Sequence, residues 1–163
     1  MFEIVSEQPG NIVEREKLLD LVFGTNRHNL TTYKLRTNID AISELSYVAL
    51  VDGEFQGSLR FWPVKINGAK RPLMLGPLAV DPARRGQAIG VALVRNGLVQ
   101  AQKLGHDFVV LVGDFNYYKR FGFINSEMLK LTLPGPYDPR RLLVRRIPPG
   151  PIKGIFGPIQ NVD

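Results

Sequence analysis

Cysteine is absent from this sequence of 163 residues. Its absence excludes a disulfide framework, a thiolate metal site and a cysteine nucleophile. No apolar run approaches the ~18 residues that a membrane-spanning helix needs. The first ten residues also lack the basic and apolar regions of a secretory signal. We therefore expect a cytoplasmic protein that does not engage a membrane.

Acidic residues are outnumbered by basic ones. Lys and Arg together number 21 against 15 for Asp and Glu, which gives a net charge of +6. This balance favours an anionic partner, but it does not distinguish nucleic acid, a phosphorylated cofactor and an acidic substrate. Hydrophobic residues make up 44% of the chain, which is ordinary for one globular domain with a substantial core.

Apolar periodicity divides the chain into strands and helices. Strands are expected near residues 1–8, 45–51, 56–66, 73–80 and 108–112, and helices at 12–23, from 89 to about 104, and at 115–121. The strand, helix and strand of the stretch 73–112 are typical of a βαβ unit with parallel strands. Pro77 cannot donate to a ladder, so a bulge or splay is expected at Gly76-Pro77. The sequence therefore predicts an α/β fold.

No linker separates two cores. Residues 1–133 are expected to form the core of the fold. Residues 134–163 are rich in Pro, Gly and Arg, and we expect them to form an arm packed on the same domain or extending from it. Within this arm, "RLLVRRI" is a candidate strand.

The stretch "LAVDPARRGQAIGVALV", residues 78–94, places a basic, glycine-containing turn between a strand and a helix. The start of a helix offers unpaired backbone N–H groups and partial positive charge, which together bind anions. Gly86 and Gly90 allow a ligand to approach the backbone, and Arg84 and Arg85 add full charge. For this stretch alone, a solvated loop explains the pattern equally well. The absence of G-x-x-x-x-G-K-[ST] and G-x-G-x-x-G argues against a nucleoside triphosphatase or dinucleotide site.

The same stretch resembles motif A of the GNAT superfamily, the acetyl-CoA-dependent N-acetyltransferases. A second stretch, "VVLVGDFNYYKRFGF" at residues 109–123, resembles motif B of that family and is most similar to a bacterial subgroup of acetyltransferases. Two positions depart from the family pattern. Ala88 stands where glycine is usual, and Leu111 stands where many members have Asn. Because alanine disfavours a positive φ, we expect Ala88 to be helical already, at no cost to the loop.

The resemblance implies a central mixed β-sheet flanked by helices and acetyl-CoA as cosubstrate, with no metal. Backbone groups of the splayed strand would hold the pantetheine, namely Leu78, Ala79 and Val80. The pyrophosphate would lie on the amides of the loop, from Arg85, Gly86, Gln87 and Ala88 to Ile89 and Gly90. Tyr118 matches the family's general acid, which protonates the leaving thiolate, although packing is the alternative role. Tyr117 is expected to pack or to contact the cofactor.

The implied function is transfer of an acetyl group from acetyl-CoA to a primary amine. With no cysteine to accept the acyl group, direct attack in a ternary complex is the simpler mechanism. One alternative is a non-catalytic acyl-CoA-binding module. Another is a nucleic-acid-binding protein that uses Arg140, Arg141, Arg145 and Arg146, but this leaves Tyr118 and the glycine loop unexplained.

The acceptor, a small-molecule or protein amine, would be bound by residues 24–39 and by the C-terminal arm. The apolar tail "PPGPIKGIFGPI" is a candidate surface for a homodimer. No general base is identified, since Glu54 is expected to be solvated and neither His28 nor His106 lies in a catalytic pattern.

Overall fold

A seven-stranded mixed sheet organises the computed structural model, which describes residues 1–163. Its order is β1-β2-β3-β5-β6-β9-β7, and only β5 and β6 are parallel neighbours. A smaller sheet has the order β4-β10-β8. The strands are β1 Phe2–Ser6, β2 Ser46–Val51, β3 Glu54–Pro63, β4 Lys65–Asn67, β5 Pro72–Val80, β6 Phe108–Val112, β7 Ile124–Asn125, β8 Leu131–Thr132, β9 Leu142–Arg146 and β10 Phe156–Gln160. The predicted α/β fold with a mixed sheet is confirmed.

Helices cover both faces of the large sheet. They are α1 Ile12–Phe23, α2 Ile89–Lys103 and the single turn α3 Phe115–Tyr118. The apolar stripe of α2 is buried against the sheet through Leu93, Val94, Leu98 and Ala101. On the opposite face, α1 packs Leu18 and Leu19 against Ala79, and the small sheet covers a second core. None of the helices is long and apolar enough to cross a bilayer.

The strand β5 is bulged against β3 at Gly76-Pro77 and separates from β6 just before that point. Leu75 pairs with Phe61 of β3, whereas Leu78 pairs with Leu59. A step of three residues along β5 therefore lies opposite a step of two along β3, and the register shifts. The parallel pairing of β5 with β6 ends at Met74, although β6 continues to Val112. The predicted bulge and splay are thus confirmed, and a cleft opens between the carboxyl ends of β5 and β6.

Residues 134–163 supply strands to both sheets. The strand β9, which falls within the predicted "RLLVRRI" stretch, lies between β6 and β7 in the large sheet. The strand β10 joins β4 and β8. The single strand expected over 56–66 is wrong: β3 ends at Pro63, and Lys65 begins β4 in the other sheet. Proline cannot donate a ladder hydrogen bond, and the chain changes sheets beside it.

Candidate active site

The loop between β5 and α2 presents a row of unpaired backbone donors. None of the N–H groups from Gly86 to Val91 has an acceptor within the chain, and the first bond of the helix runs from Ala92 N to the Ala88 carbonyl at 3.1 Å. Before the row, the Asp81 carboxylate accepts from Ala83 N at 2.9 Å and fixes the turn. Consecutive free donors at a helix start form a concavity for an oxyanion.

Ala88 is left-handed, with φ 63° and ψ 21°, and directly precedes α2. The expectation that it is helical is therefore wrong. Gly86, two residues earlier, is also left-handed, with φ 85°. The two left-handed residues turn the chain from the end of the strand into the helix. At Gly86 the turn is free of steric cost, whereas at Ala88 it costs about 1 kcal/mol.

A cavity of about 600 Å³ lies over this loop, between it and the end of α1. Three guanidinium groups line it, from Arg84, Arg85 and Arg120. Arg84 is held by a hydrogen bond from Nε to Gln56 Oε1 at 3.2 Å, and Arg120 donates from Nε to the Tyr117 carbonyl at 2.8 Å. Backbone N–H groups without an acceptor and three guanidinium groups therefore occur at one cavity. This combination fits a pyrophosphate, which the sequence predicts at this loop.

The two glycines of the loop have different surroundings. A Cβ on Gly86 would meet no atom within 4 Å, so that position is open to a ligand. A Cβ on Gly90 would lie 2.6 Å from the Tyr117 hydroxyl oxygen. Gly90 therefore makes room for the Tyr117 ring, which lies half-buried in the wall of the same cavity.

A second cavity, of about 450 Å³, occupies the splay between β5 and β6. Leu75, Gly76, Pro77 and Leu78 form one wall, and Val112, Gly113 and Tyr118 form another. Leu78 and Phe23 line both this cavity and the one over the loop, so the two adjoin. An elongated ligand can therefore run from the loop into the splay.

Tyr118 faces this cavity from α3. Asp114 caps the start of that turn by accepting from Asn116 N at 3.1 Å. The Tyr118 ring packs on Gly113, where a Cβ would lie 2.6 Å from its Cε2. Burial raises the pKa of Tyr118 above the ordinary value for a phenol. The hydroxyl therefore keeps its proton at neutral pH.

Two distant segments close the second cavity. Thr31 and Tyr33 come from the stretch 24–39, and Tyr137 and Arg141 come from the C-terminal segment. The segments are tied together by hydrogen bonds, from Thr31 Oγ1 to the Pro136 carbonyl and from Lys34 Nζ to the Pro134 carbonyl. The structure thus brings together the two stretches that the sequence suggested for the acceptor.

The other expected positions fall as follows. Val80 lines the loop cavity, while the Ala79 side chain is buried against α1. Ile89 lines the loop cavity although its side chain is buried in the core, whereas Gln87 is exposed and does not line the cavity.

The histidines and Glu54 lie apart from the splay. His106 is buried beside the amino end of β6, with Nδ1 3.1 Å from the Arg71 carbonyl, whereas the cavity lies at the carboxyl end. Glu54 is exposed, and His28 is exposed beside Tyr33, where it lines a further cavity that adjoins the splay. No group of three or more His, Asp or Glu side chains is placed to hold a metal ion.

Sequence reasoning missed Arg36, which lines the splay cavity. Its guanidinium lies 4.6 Å from the Tyr33 ring centroid and 5.5 Å from that of Trp62. Nothing near Arg36 in the sequence marks it among the other basic residues, because its environment is created by β3 and β5.

Comparison with known proteins agrees with this geometry. Residues 15–123 match the Acetyltransferase (GNAT) family. The chain is 32% identical over 123 residues to the uncharacterized N-acetyltransferase YhbS of Escherichia coli K12, covering 74% of each chain. The structure of YhbS in complex with CoA superposes with a TM-score of 0.83 and 27% identity, covering 98% of this chain and 89% of that one.

A GNAT family acetyltransferase from Brucella melitensis, solved in complex with acetyl-CoA, gives a TM-score of 0.69 at 31% identity. The match covers 94% of this chain and 93% of that one. Sequence and structure comparisons thus identify the same family as the two motifs. This chain belongs to the GNAT family of acetyltransferases.

Proposed function

We propose that this protein transfers an acetyl group from acetyl-CoA to a primary amine, by direct attack within a ternary complex. The observation that carries the proposal is the row of free N–H groups from Gly86 to Val91, which leads past Leu78 into the splayed cavity faced by Tyr118. Family relatives solved with CoA and with acetyl-CoA support the choice of cosubstrate.

In this proposal the cosubstrate spans both cavities. Its pyrophosphate takes the backbone donors of Gly86 to Val91, with Arg84, Arg85 and Arg120 supplying positive charge. Its pantetheine follows the edge of β5 that faces away from β3. The backbone groups on that edge, within Leu78, Ala79 and Val80, are free because β6 has separated. They can bind the amide groups of the pantetheine in the manner of an added strand.

In the reaction, the carbonyl carbon of the thioester exchanges its bond to sulfur for a bond to nitrogen. The neutral amine nitrogen attacks that carbon, the carbon–sulfur bond breaks, and the nitrogen gives up a proton to water. Tyr118 supplies a proton to the departing sulfur and regains one from water after the reaction. Asp114 and Asp138 line the cavity, but Asp114 caps α3 and Asp138 pairs with Arg140 at 3.0 Å. Water is therefore the simplest acceptor for the proton of the amine.

The state of Tyr118 suits a donor. Its phenol carries its proton at neutral pH, as an ordinary tyrosine does, and burial raises its pKa and so disfavours the phenolate further. No hydrogen bond within the chain occupies the hydroxyl, which leaves it free for the sulfur. A hydrogen-bond donor that points at developing negative charge stabilises the transition state more in a site without water than it would in bulk water.

The arginines of the C-terminal arm do not support the alternative function of nucleic-acid binding. Arg140 pairs with Asp138, Arg145 is half-buried in β9, and Arg146 donates to the Pro151 carbonyl at 3.0 Å. Arg141 faces the splay cavity. The arginines therefore do not form one continuous face for a phosphate backbone.

The test measures release of free thiol from acetyl-CoA with a panel of amines, for the wild type and for Tyr118→Phe. We expect Tyr118→Phe to lower kcat about a hundredfold, since general acid catalysis typically contributes that much or more. The affinity for acetyl-CoA should be unchanged. Tyr117→Phe is the matched control, because it removes the neighbouring hydroxyl, and its kcat should fall far less.

Two results would contradict the proposal. Equal kcat values for Tyr118→Phe and the wild type would show that the Tyr118 hydroxyl takes no part in the reaction. Binding of acetyl-CoA without thiol release for any amine would favour the non-catalytic binding module.

A further inference from the structure

A third cavity, of about 440 Å³, adjoins the splay on the side away from the phosphate loop. It shares Arg27, Tyr33, Arg36 and Pro77 with the splay cavity. Its wall is strongly basic, with Arg15, Arg27, Lys34, Arg36 and Arg60 against the single acidic residue Glu16. In the proposed function, this is the side from which an acceptor reaches the thioester.

Most of these arginines are neutralised within the chain. Arg15 lies 2.8 Å from Glu7, Arg27 pairs with Glu16 at 3.0 Å and Asp20 at 3.1 Å, and Arg60 lies 3.6 Å from Glu7. Arg36 is the exception, because no carboxylate lies within 4.0 Å of its guanidinium. Its Nε is buried without a hydrogen-bond partner, as is that of Arg60, but Arg60 has the Glu7 carboxylate nearby.

The guanidinium of Arg36 is nevertheless fixed in place. It lies between the Tyr33 and Trp62 rings, at 4.6 Å and 5.5 Å from their centroids. Trp62 is itself held by a hydrogen bond from Nε1 to the Gly76 carbonyl at 2.8 Å. Arg36 Nη2 lies 3.4 Å from the position that a Cβ would take on Gly76. The charge is therefore presented at the bulge of β5, at the entrance to the splay.

We propose that Arg36 binds an oxyanion group, carboxylate or phosphate, carried by the acceptor amine. The inference rests on the proposed function, which it extends to the class of acceptor. A planar guanidinium held between aromatic rings is preorganised for bidentate contact with either anion. Burial lowers the pKa of Arg36 to about 10, so the group is still charged at neutral pH.

The geometry limits the size of such an acceptor. Gly76, beside Arg36, is two residues from Leu78, which lies at the junction of the splay and the loop cavity. Arg36 and Tyr118 also line the same cavity of about 450 Å³. An amine and an oxyanion that are joined by a short carbon chain can therefore lie within this one cavity, with the oxyanion at Arg36 and the amine near the thioester.

The test titrates the protein with amines by calorimetry, both alone and after saturation with CoA. One arm uses a series of ω-amino carboxylates from glycine to 6-aminohexanoate, each against its carboxamide. A second arm uses O-phosphoethanolamine against ethanolamine. We expect at least one carboxylate or phosphate to bind tenfold or more tightly than its neutral partner, and the arm that responds identifies the anion.

Three variants assign the preference to Arg36. Arg36→Met keeps the length and apolar packing and should abolish the preference, and Arg36→Lys should retain only part of it. Lys17→Gln is the charge-matched control, since Lys17 is exposed on α1 and lines none of these cavities. The ligand-free Arg36→Met should be no less stable in urea than the wild type, because it removes a buried charge without a partner.

The inference is overturned if no oxyanion is preferred, or if Arg36→Met retains the preference. It is also overturned if Arg36→Met is destabilised and the anion preference is unchanged, which would indicate a purely structural role. The titrations without CoA keep this result separate from the proposed function. A protein that prefers anions but binds no acetyl-CoA would support the Arg36 site and contradict the acetyltransferase.

Discussion

At the scale of single residues, Ala88 determines how the loop donors are aimed. Its left-handed backbone links Gly86 to the first turn of α2, and the residues on both sides of it line one cavity, namely Gly86, Ile89, Gly90 and Val91. Alanine tolerates this conformation poorly, and the site therefore has a steric cost that glycine would not have. The residue is exposed, so no packing interaction of its side chain offsets that cost.

We predict that Ala88→Gly increases the free energy of unfolding. Glycine adopts the left-handed conformation without the steric cost that alanine has, which stabilises the folded state by about 1 kcal/mol. The greater freedom of glycine in the unfolded chain offsets part of this gain. Urea denaturation measures the change. Ala92→Gly is the matched control, because the same substitution inside α2 should destabilise by roughly 0.5–1 kcal/mol. A loss of stability in Ala88→Gly would contradict the conformation described for the loop.

The role of a residue could be predicted only where the residues that surround it in the structure are also close to it in the sequence. Arg84, Arg85 and Gly86 stand in one turn, so the sequence identified them as an anion loop, and the structure places their backbone and charge together. Arg36 could not be found in that way. Its partners Tyr33, Trp62 and Gly76 come from a short 3₁₀ helix and two strands, and only the tertiary fold brings the strands to Arg36.

At the scale of elements, α2 packs on the sheet through a position without a side chain. A Cβ on Gly97 would lie 2.4 Å from Cε1 of Phe61 on β3. Both residues are buried in the main core. The closeness of the helix to the sheet therefore depends on glycine at 97, and the start of the same helix carries the loop donors.

We predict that Gly97→Ala destabilises the fold even though alanine is the better helix former. The added methyl must displace Phe61 or lift α2, and overpacking of this kind typically costs about 1–3 kcal/mol. Urea denaturation gives the value. Gly10→Ala provides the comparison, because a Cβ there meets nothing within 4 Å and stability should change little. A Gly97→Ala variant as stable as the wild type would show that the interface can relax.

Element boundaries followed from local chemistry where the chain has a clear signal. The apolar spacing predicted helices at 12–23 and from 89 to about 104, and the structure has α1 at Ile12–Phe23 and α2 at Ile89–Lys103. The join between β3 and β4 was missed, because a run of strand-forming residues does not reveal that it changes sheets at Pro63. The position of β9 in the large sheet was equally hidden, since pairing with β6 depends on long-range contacts.

At the scale of the whole molecule, the C-terminal segment completes both the fold and the site. The strand β9 pairs with β6 from Leu142 to Arg146, and Tyr137 and Arg141 close the splay cavity. Asn161 ties the end of the chain to the stretch 24–39 through hydrogen bonds to the carbonyls of Lys34 and Thr37. The wall proposed for the acceptor thus depends on residues far apart in the sequence.

We predict that a chain truncated after Leu133 does not fold cooperatively. It would expose the edge of β6 and leave the buried residues of both cores uncovered. Thermal unfolding followed by circular dichroism tests this. A chain that ends after Ile147 keeps β9 and should retain a transition at a lower Tm. A cooperative transition for residues 1–133 would show that the core is independent of the C-terminal segment.

The central claim, that the loop and the splay hold a CoA thioester, is tested most directly by calorimetric titration with acetyl-CoA, CoA and ATP. The account predicts that acetyl-CoA and CoA bind with comparable affinity. ATP, which offers phosphates but no pantetheine for the edge of β5, should bind at least tenfold more weakly. Absence of binding by both CoA species, or equal binding of ATP, would contradict it.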